Sequence, residues 1–214
     1  MIVHIVCGYR SKSEEWTDKW TDAHYRARNL VLGIKREPFR GSSEWVSKNR
    51  DKKWLIANTP EGQAAALEFG SYLLASKLMG ADIKAAHIVP VPSSQHITLG
   101  EDFTGNRIAD ALHKLHGPYE SKPILHFNSP QPRSRAGGSR RPSDIIPHLR
   151  SGSLVGLENV ILLDDVMTSG GHLRACARYL RNQGVNVAGA IVIGRTVWEK
   201  PDNMFKMPSE DLDC

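Results

Sequence analysis

The chain has little cysteine and no long apolar run. Its cysteines are Cys7, Cys176 and Cys214, odd in number and widely spaced. That excludes a disulfide scaffold or a zinc module and fits a reduced compartment. No window approaches the roughly 20 consecutive apolar residues that cross a bilayer. The opening MIVHIVCGY is too short an apolar stretch for a secretory signal and has no basic leader. Cytoplasm, with no membrane association, is the expected location. Internal repeats and long low-complexity tracts are also missing, which excludes solenoids and arrays. There is no GxxxxGK[ST] stretch, so a Walker-type ATPase is excluded as well.

What is present suits one α/β core. A chain of 214 residues buries one substantial core with a small appended lobe rather than two full domains. A formal charge of +5 and a pI near 9.2 point toward anionic partners: nucleotides, phosphate esters or nucleic acid. Thr59, Pro60 and Glu61 form a helix start, with a capping hydroxyl, proline in the first turn and an acid beside it. The helix runs to about Leu78 and stops at Gly80. AAHIVPV reads as a strand, followed by a polar turn, PSSQH, and a helix from about Thr104 to Gly117. KPILHF is a short strand, and NSPQPRSRAGGSRRPSD has no periodicity and reads as a long loop. NVILL is the continuous apolar run of a central parallel strand, His172 to Asn182 a helix, and VNVAGAIVIG a returning strand. The alternation implies right-handed βαβ units and a mostly parallel sheet flanked by helices. MIVHIVC and KKWLIA read as strands, but the Trp-bearing stretch with Trp16, Trp20 and Trp45 fixes no topology.

One stretch asks for chemistry. In VILLDDVMTSGGHL, residues 160–173, Asp164 and Asp165 close an apolar strand just before a hydroxyl- and glycine-rich turn. Adjacent like charges repel, so a ligand, a cation or water must offset the cost. In a parallel sheet, ligands bind beyond the carboxyl ends of the strands, where these acids stand. Thr168, Ser169, Gly170, Gly171 and His172 supply hydroxyls, unobstructed amides and the positive end of a helix dipole, the parts of a phosphate cradle. A ribose 5-phosphate satisfies both ends, its hydroxyls donating to the acids and its phosphate resting on the turn. The plainer reading is that the acids cap a turn that the glycines make tight. A phosphatase aspartate pair needs its second acid two residues on, where Val166 stands.

These residues carry a resemblance. VILLDDVMTSGGH resembles the phosphoribosyl pyrophosphate signature of type I phosphoribosyltransferases, departing at His172, where the family has Thr or Ser. An imidazole donor would replace that hydroxyl, better at low pH. HIVPVPSSQH and the following helix are similar to ComF-like members of the superfamily, without their N-terminal cysteine-rich zinc module. The resemblance implies a type I phosphoribosyltransferase fold with a hood at residues 1–55, a core at 56–200 and a tail at 201–214. It implies that Pro92, Ser93 and Ser94 hold pyrophosphate, with His96 and Arg107 the nearest basic candidates. It places PQPRSRAGGSRRPSD at the flexible catalytic loop, with Arg133, Arg135, Arg140 and Arg141 suited to a departing polyanion and Gly137 and Gly138 at its hinge.

The implied reaction is displacement at the anomeric carbon of 5-phosphoribosyl 1-pyrophosphate (PRPP). Asp164 and Asp165 orient the ribose, and Mg²⁺ arrives chelated by the substrate rather than caged by protein. The acceptor, a base or amine, stays open, although the 6-oxopurine enzymes carry an acid where Thr168 stands. Two alternatives remain: a non-catalytic regulator that binds the same ligand in DNA uptake or defence, and a nucleic-acid module using the arginine loop. A homodimer is compatible with all three. His113 and His116 read as surface histidines, Cys176 as core, and Trp198 and Phe205 as either packing or a stacking surface for a base.

Overall fold

The computed structural model describes residues 1–10, 19–81, 83, 87–132 and 138–213. In chain order its elements are β1 (Ile2–Tyr9), α1 (Asp22–Lys35), β2 (Ser42–Val46), β3 (Lys53–Ala57), α2 (Pro60–Gly80), β4 (His87–Pro90), α3 (Thr104–His116), β5 (Glu120–Ser121) and β6 (Leu125–Phe127). Then come α4 (Pro142–Ile145), a 3-10 turn at Ile146–His148, β7 (Leu149–Ser151), β8 (Asn159–Met167), α5 (Gly171–Asn182), β9 (Asn186–Thr196) and β10 (Glu210–Asp211). Six strands form the central sheet in the order β10-β1-β9-β8-β4-β5. Its first five strands in the chain run parallel, and β10 closes one edge antiparallel to β1. This is the α/β architecture with a mostly parallel sheet that the sequence predicts.

The helices form where their signals lie. Thr59 accepts a hydrogen bond from the Gly62 amide at 3.1 Å and caps α2. Gly62 lets that first turn close on β3, since a Cβ there would stand 2.4 Å from the Ala57 carbonyl. By contrast α1 occupies the stretch for which the sequence fixes no topology. Its start is marked by Thr21, whose amide donates to His24 Nδ1 at 2.9 Å, a capping arrangement with histidine in place of the usual Glu or Gln.

β1, before the division expected at residue 55, and β10, after that expected at residue 201, both enter the sheet. β1 pairs with β9 from Val3 opposite Ala190 to Tyr9 opposite Thr196, and Val3, Ile5 and Cys7 are fully buried. Apolar side chains on both faces make it an interior strand. The tail likewise supplies β10, with Ile2 opposite Asp211. One correction falls on the expected loop 128–144, whose end folds as α4 with Pro142 in its first turn.

Burial sorts the sheet's two faces. Ile161 and Leu163 of β8 pack with α1, α2 and α3, whereas Val160 and Leu162 pack with α5, β6 and β7. Aligned at about 25 cal/mol per Å² of apolar area removed from water, these two layers are the main stabilising contribution. The alternation along β8 also decides which way its acids face.

Candidate functional site

β8 does not end at Leu163. It continues through both acids to Met167, with Asp164 opposite Val192 and Val166 opposite Gly194 of β9. On its other side β4 stops earlier, at Pro90 opposite Leu163, with one more bond from the Val91 amide to the Leu163 carbonyl at 2.8 Å. Pro90 and Pro92 lack the N–H groups that would carry that ladder further. The acids therefore stand where β8 has lost one neighbour, at the carboxyl end of the sheet.

Strand alternation separates the pair. Asp164 follows Val160 and Leu162 toward α5, and Asp165 follows Ile161 and Leu163 toward α1. Asp165 meets Lys35 of α1 at 3.7 Å, and Lys35 also pairs with Glu37 at 3.1 Å. Burial works against the Lys35 ammonium, but the Asp165 and Glu37 carboxylates outweigh it and raise its pKa. For Asp164 the same lysine charge is the smallest contribution and does not win. Burial first, then the adjacent Asp165 charge, raises its carboxyl well above the usual aspartate value. The expected joint use of both acids by one sugar thus meets a structure in which one acid faces the turn and the other is held by a lysine.

The turn forms a small cavity with Asp164. Arg140, Asp164 and residues 166–173 line it, and its volume is about 70 Å³. That is room for a few waters. Gly170 caps α5 at φ 73°, a left-handed conformation that glycine adopts without steric cost. Gly171 is required for a different reason: a Cβ there would lie 2.1 Å from the Arg140 carbonyl, so the chain at Arg140 closes directly over the start of α5. Thr168 Oγ1 lies 3.1 Å from Thr196 Oγ1, while Ser169 is exposed. His172 sits partly buried with its ring 6.1 Å from Phe127, and burial lowers its imidazole pKa. The neutral ring is the favoured form, so stronger donation at low pH is opposed by the same burial.

Pro92, Ser93, Ser94 and Arg141 lie outside the cavity lining. Pro92 is buried, Ser93 exposed and Ser94 partly buried, in a turn held by bonds from the His96 amide to the Ser93 carbonyl and from the Gln131 amide to the Ser94 carbonyl. The turn leaves β4 at the same sheet end as the acids. His96 is buried beneath it against Phe103, ring centroids 4.4 Å apart, which removes it as a ligand contact. Arg107 is engaged by Asp102 at 2.9 Å and by Thr104 at 3.0 Å. Arg140 and Arg141 are exposed; Arg133, Arg135 and Gly137 lie outside the described residues, as do Trp16 and Cys214.

Phe205 packs edge-on to Trp45 at 4.8 Å, so it belongs to the Trp45, Trp54 and Phe69 cluster rather than to a base-stacking surface. Trp198 is 62% exposed. His113 bonds to the Tyr119 carbonyl and His116 lies 6.0 Å from the Tyr72 ring. Among the described residues no three His, Cys, Asp or Glu side chains converge as a metal cage, and no helix is long and apolar enough to cross a membrane.

Three residues of the site escape the sequence reading. Lys35 carries no signal, since nothing in the chain connects the end of α1 to Asp165. Arg195 and Arg174 are legible in part: an arginine closing an apolar strand, and another one turn into the helix. Arg195 donates to the Thr168 carbonyl at 2.6 Å, to the Thr196 carbonyl at 2.8 Å and to Glu210 at 2.7 Å. Arg174 donates to the Ser169 carbonyl at 2.9 Å.

No family model matches the chain, and no curated protein matches it. Among solved structures it is similar to orotate phosphoribosyltransferase from Aeropyrum pernix, at 17% identity over 79% of this chain and 83% of that one, TM-score 0.42. It is also similar to orotate phosphoribosyltransferase from Francisella tularensis, at 16% identity over 71% of this chain and 63% of that one, TM-score 0.37. A third is adenine phosphoribosyltransferase from Leishmania donovani, at 11% identity over 78% of this chain and 79% of that one, TM-score 0.39. At these scores the likeness adds no weight to the reading of the site, which rests on the geometry above.

Proposed function

We propose that this chain is a phosphoribosyltransferase-like protein that binds PRPP with its 5-phosphate on the turn 168–172. One observation carries the reading: a single cavity joins the Asp164 carboxylate to the glycine turn at the start of α5. An anion is favoured there by the amides and the helix dipole, and a hydroxyl donor by the carboxylate a few residues away. Asp164 accepts from the ribose hydroxyls, and Arg140, which lines the same cavity, meets the phosphate charge. Ser93 and Ser94, with Arg133, Arg135 and Arg141, are assigned to the pyrophosphate.

The reaction is transfer of phosphoribose to an acceptor nitrogen. The acceptor's lone pair forms the new bond to the anomeric carbon as the bond to pyrophosphate breaks, and pyrophosphate leaves with both electrons. Mg²⁺ enters as part of the substrate and supplies neutralisation of the leaving group. The chain's own residues contribute binding and orientation: the turn fixes one end of the sugar phosphate and Asp164 the other. Cytoplasm is the proposed location.

A second reading draws on the Lys35–Asp165 ion pair. Only one of the two acids meets the cavity, which favours a regulator that binds PRPP without turning it over. Calorimetry with PRPP and Mg²⁺, followed by a pyrophosphate-release assay over a panel of bases, separates the two. Binding with release supports the transferase and binding without release the regulator. Binding of DNA or RNA with no binding of PRPP would sink both.

A further inference from the structure

Three successive carbonyls of the turn each have a donor. Arg195 Nη1 takes the Thr168 carbonyl at 2.6 Å, Arg174 Nη2 takes the Ser169 carbonyl at 2.9 Å, and the Arg174 amide takes the Gly170 carbonyl at 2.9 Å. A planar trans peptide points its N–H opposite to its carbonyl. Fixing three successive carbonyls therefore aims the amides of Ser169, Gly170 and Gly171 away from those three donors. Among the described residues no backbone acceptor takes these three amides.

We propose that Arg195 and Arg174 are positioning residues that set the peptide planes of this turn, so that its amides, and not its carbonyls, meet an anion. The inference rests on the proposed phosphate site and adds what regulates its affinity. Neither guanidinium needs to touch the ligand. Arg195 acts from β9, its orientation fixed by Glu210 of β10, and Leu212 packs on Gly170, since a Cβ on that glycine would come 2.6 Å from the Leu212 side chain. Arg174 acts from within α5. Without them the Thr168 and Ser169 peptides are free to turn their carbonyls inward, where they would repel a phosphate.

The test uses inorganic phosphate as probe and amide NMR of the full chain. Phosphate should shift the Ser169, Gly170 and Gly171 amides of the wild type. Arg195→Met and Arg174→Met should each weaken that binding about tenfold, the scale of one hydrogen bond to a charged group. Both variants should also move the resonances of those amides selectively before any phosphate is added. Arg195→Lys, which keeps a donor, should recover part of the affinity. Should Arg195→Met fail to fold, Arg174→Met, at a partly buried position on the helix, carries the same test. Wild-type shifts that miss the turn, or unchanged affinity in both variants, would overturn the proposal. So would an affinity loss that merely follows a general fall in Tm. If phosphate behaves as expected but PRPP binds no more tightly than phosphate, the sugar reading fails and the role of the arginines stands.

Discussion

At the scale of single residues, the acid pair is two different groups. Asp164 has a raised pKa, so between the ordinary aspartate value and its own the folded protein holds more protons than the unfolded chain. Stability therefore falls as pH rises through that window. Asp164→Asn removes the charge and keeps an oxygen for the Asp165 amide bond at 2.9 Å. It should raise Tm at pH 7 and not at pH 3, by about 2–4 °C for each kcal/mol recovered in a domain of this size, while PRPP binding is lost in calorimetry. Asp165→Asn should behave in the opposite sense. It frees Lys35, lowers Tm at neutral pH, and weakens PRPP far less than Asp164→Asn does. Equal loss of binding in the two variants would restore both acids to the ligand. For His172→Thr phosphate binding should be equal or tighter, because the buried imidazole resists the protonation that would make it a good anion donor.

At the scale of elements, one glycine and one cap make separable predictions. Gly171→Ala pushes a methyl into the Arg140 carbonyl, an overpacking of the kind that costs about 1–3 kcal/mol. Phosphate affinity and Tm should fall together, read by titration and thermal melting. Thr59→Ala removes the α2 cap and should cost about 1 kcal/mol. Because α2 does not line the cavity, ligand affinity should stay as it is. A change in affinity there would mean that α2 is coupled to the turn. Most of these elements are legible in the residues: the Thr59-Pro60 start, the apolar run of β8, Gly170 and Gly171 before α5. α1 is not, because histidine rather than Glu or Gln closes its cap. β10 is not, because two residues at an edge carry no periodicity. The direction of Asp165 is out of reach for another reason: it depends on strand continuation past Leu163, which β4's prolines and β9's register decide together.

At the scale of the whole molecule, the candidate site is assembled from distant parts of the chain. The motif at 160–173 supplies the turn and Asp164, and these could be read directly from the sequence. The groups that orient them, Lys35 of α1 and Arg195 and Glu210 near the C-terminal end, become visible only when β1 and β10 join the sheet. Local residue patterns report local structure well; a contact between residue 35 and residue 165 has no local pattern to report.

The pairing of β1 with β9 also has a cost in time. Val3 finds its partner at Ala190, so the sheet's interior cannot close until nearly the whole chain exists. At a synthesis rate of roughly 5–20 residues per second, β1 waits on the order of 10–40 s with its apolar side chains uncovered. Loop closure over such a separation is also slow once the chain is free. In refolding from denaturant, the β8–β9 half of the sheet should gain hydrogen-exchange protection before β1 does, leaving the first strand of the chain among the last to settle.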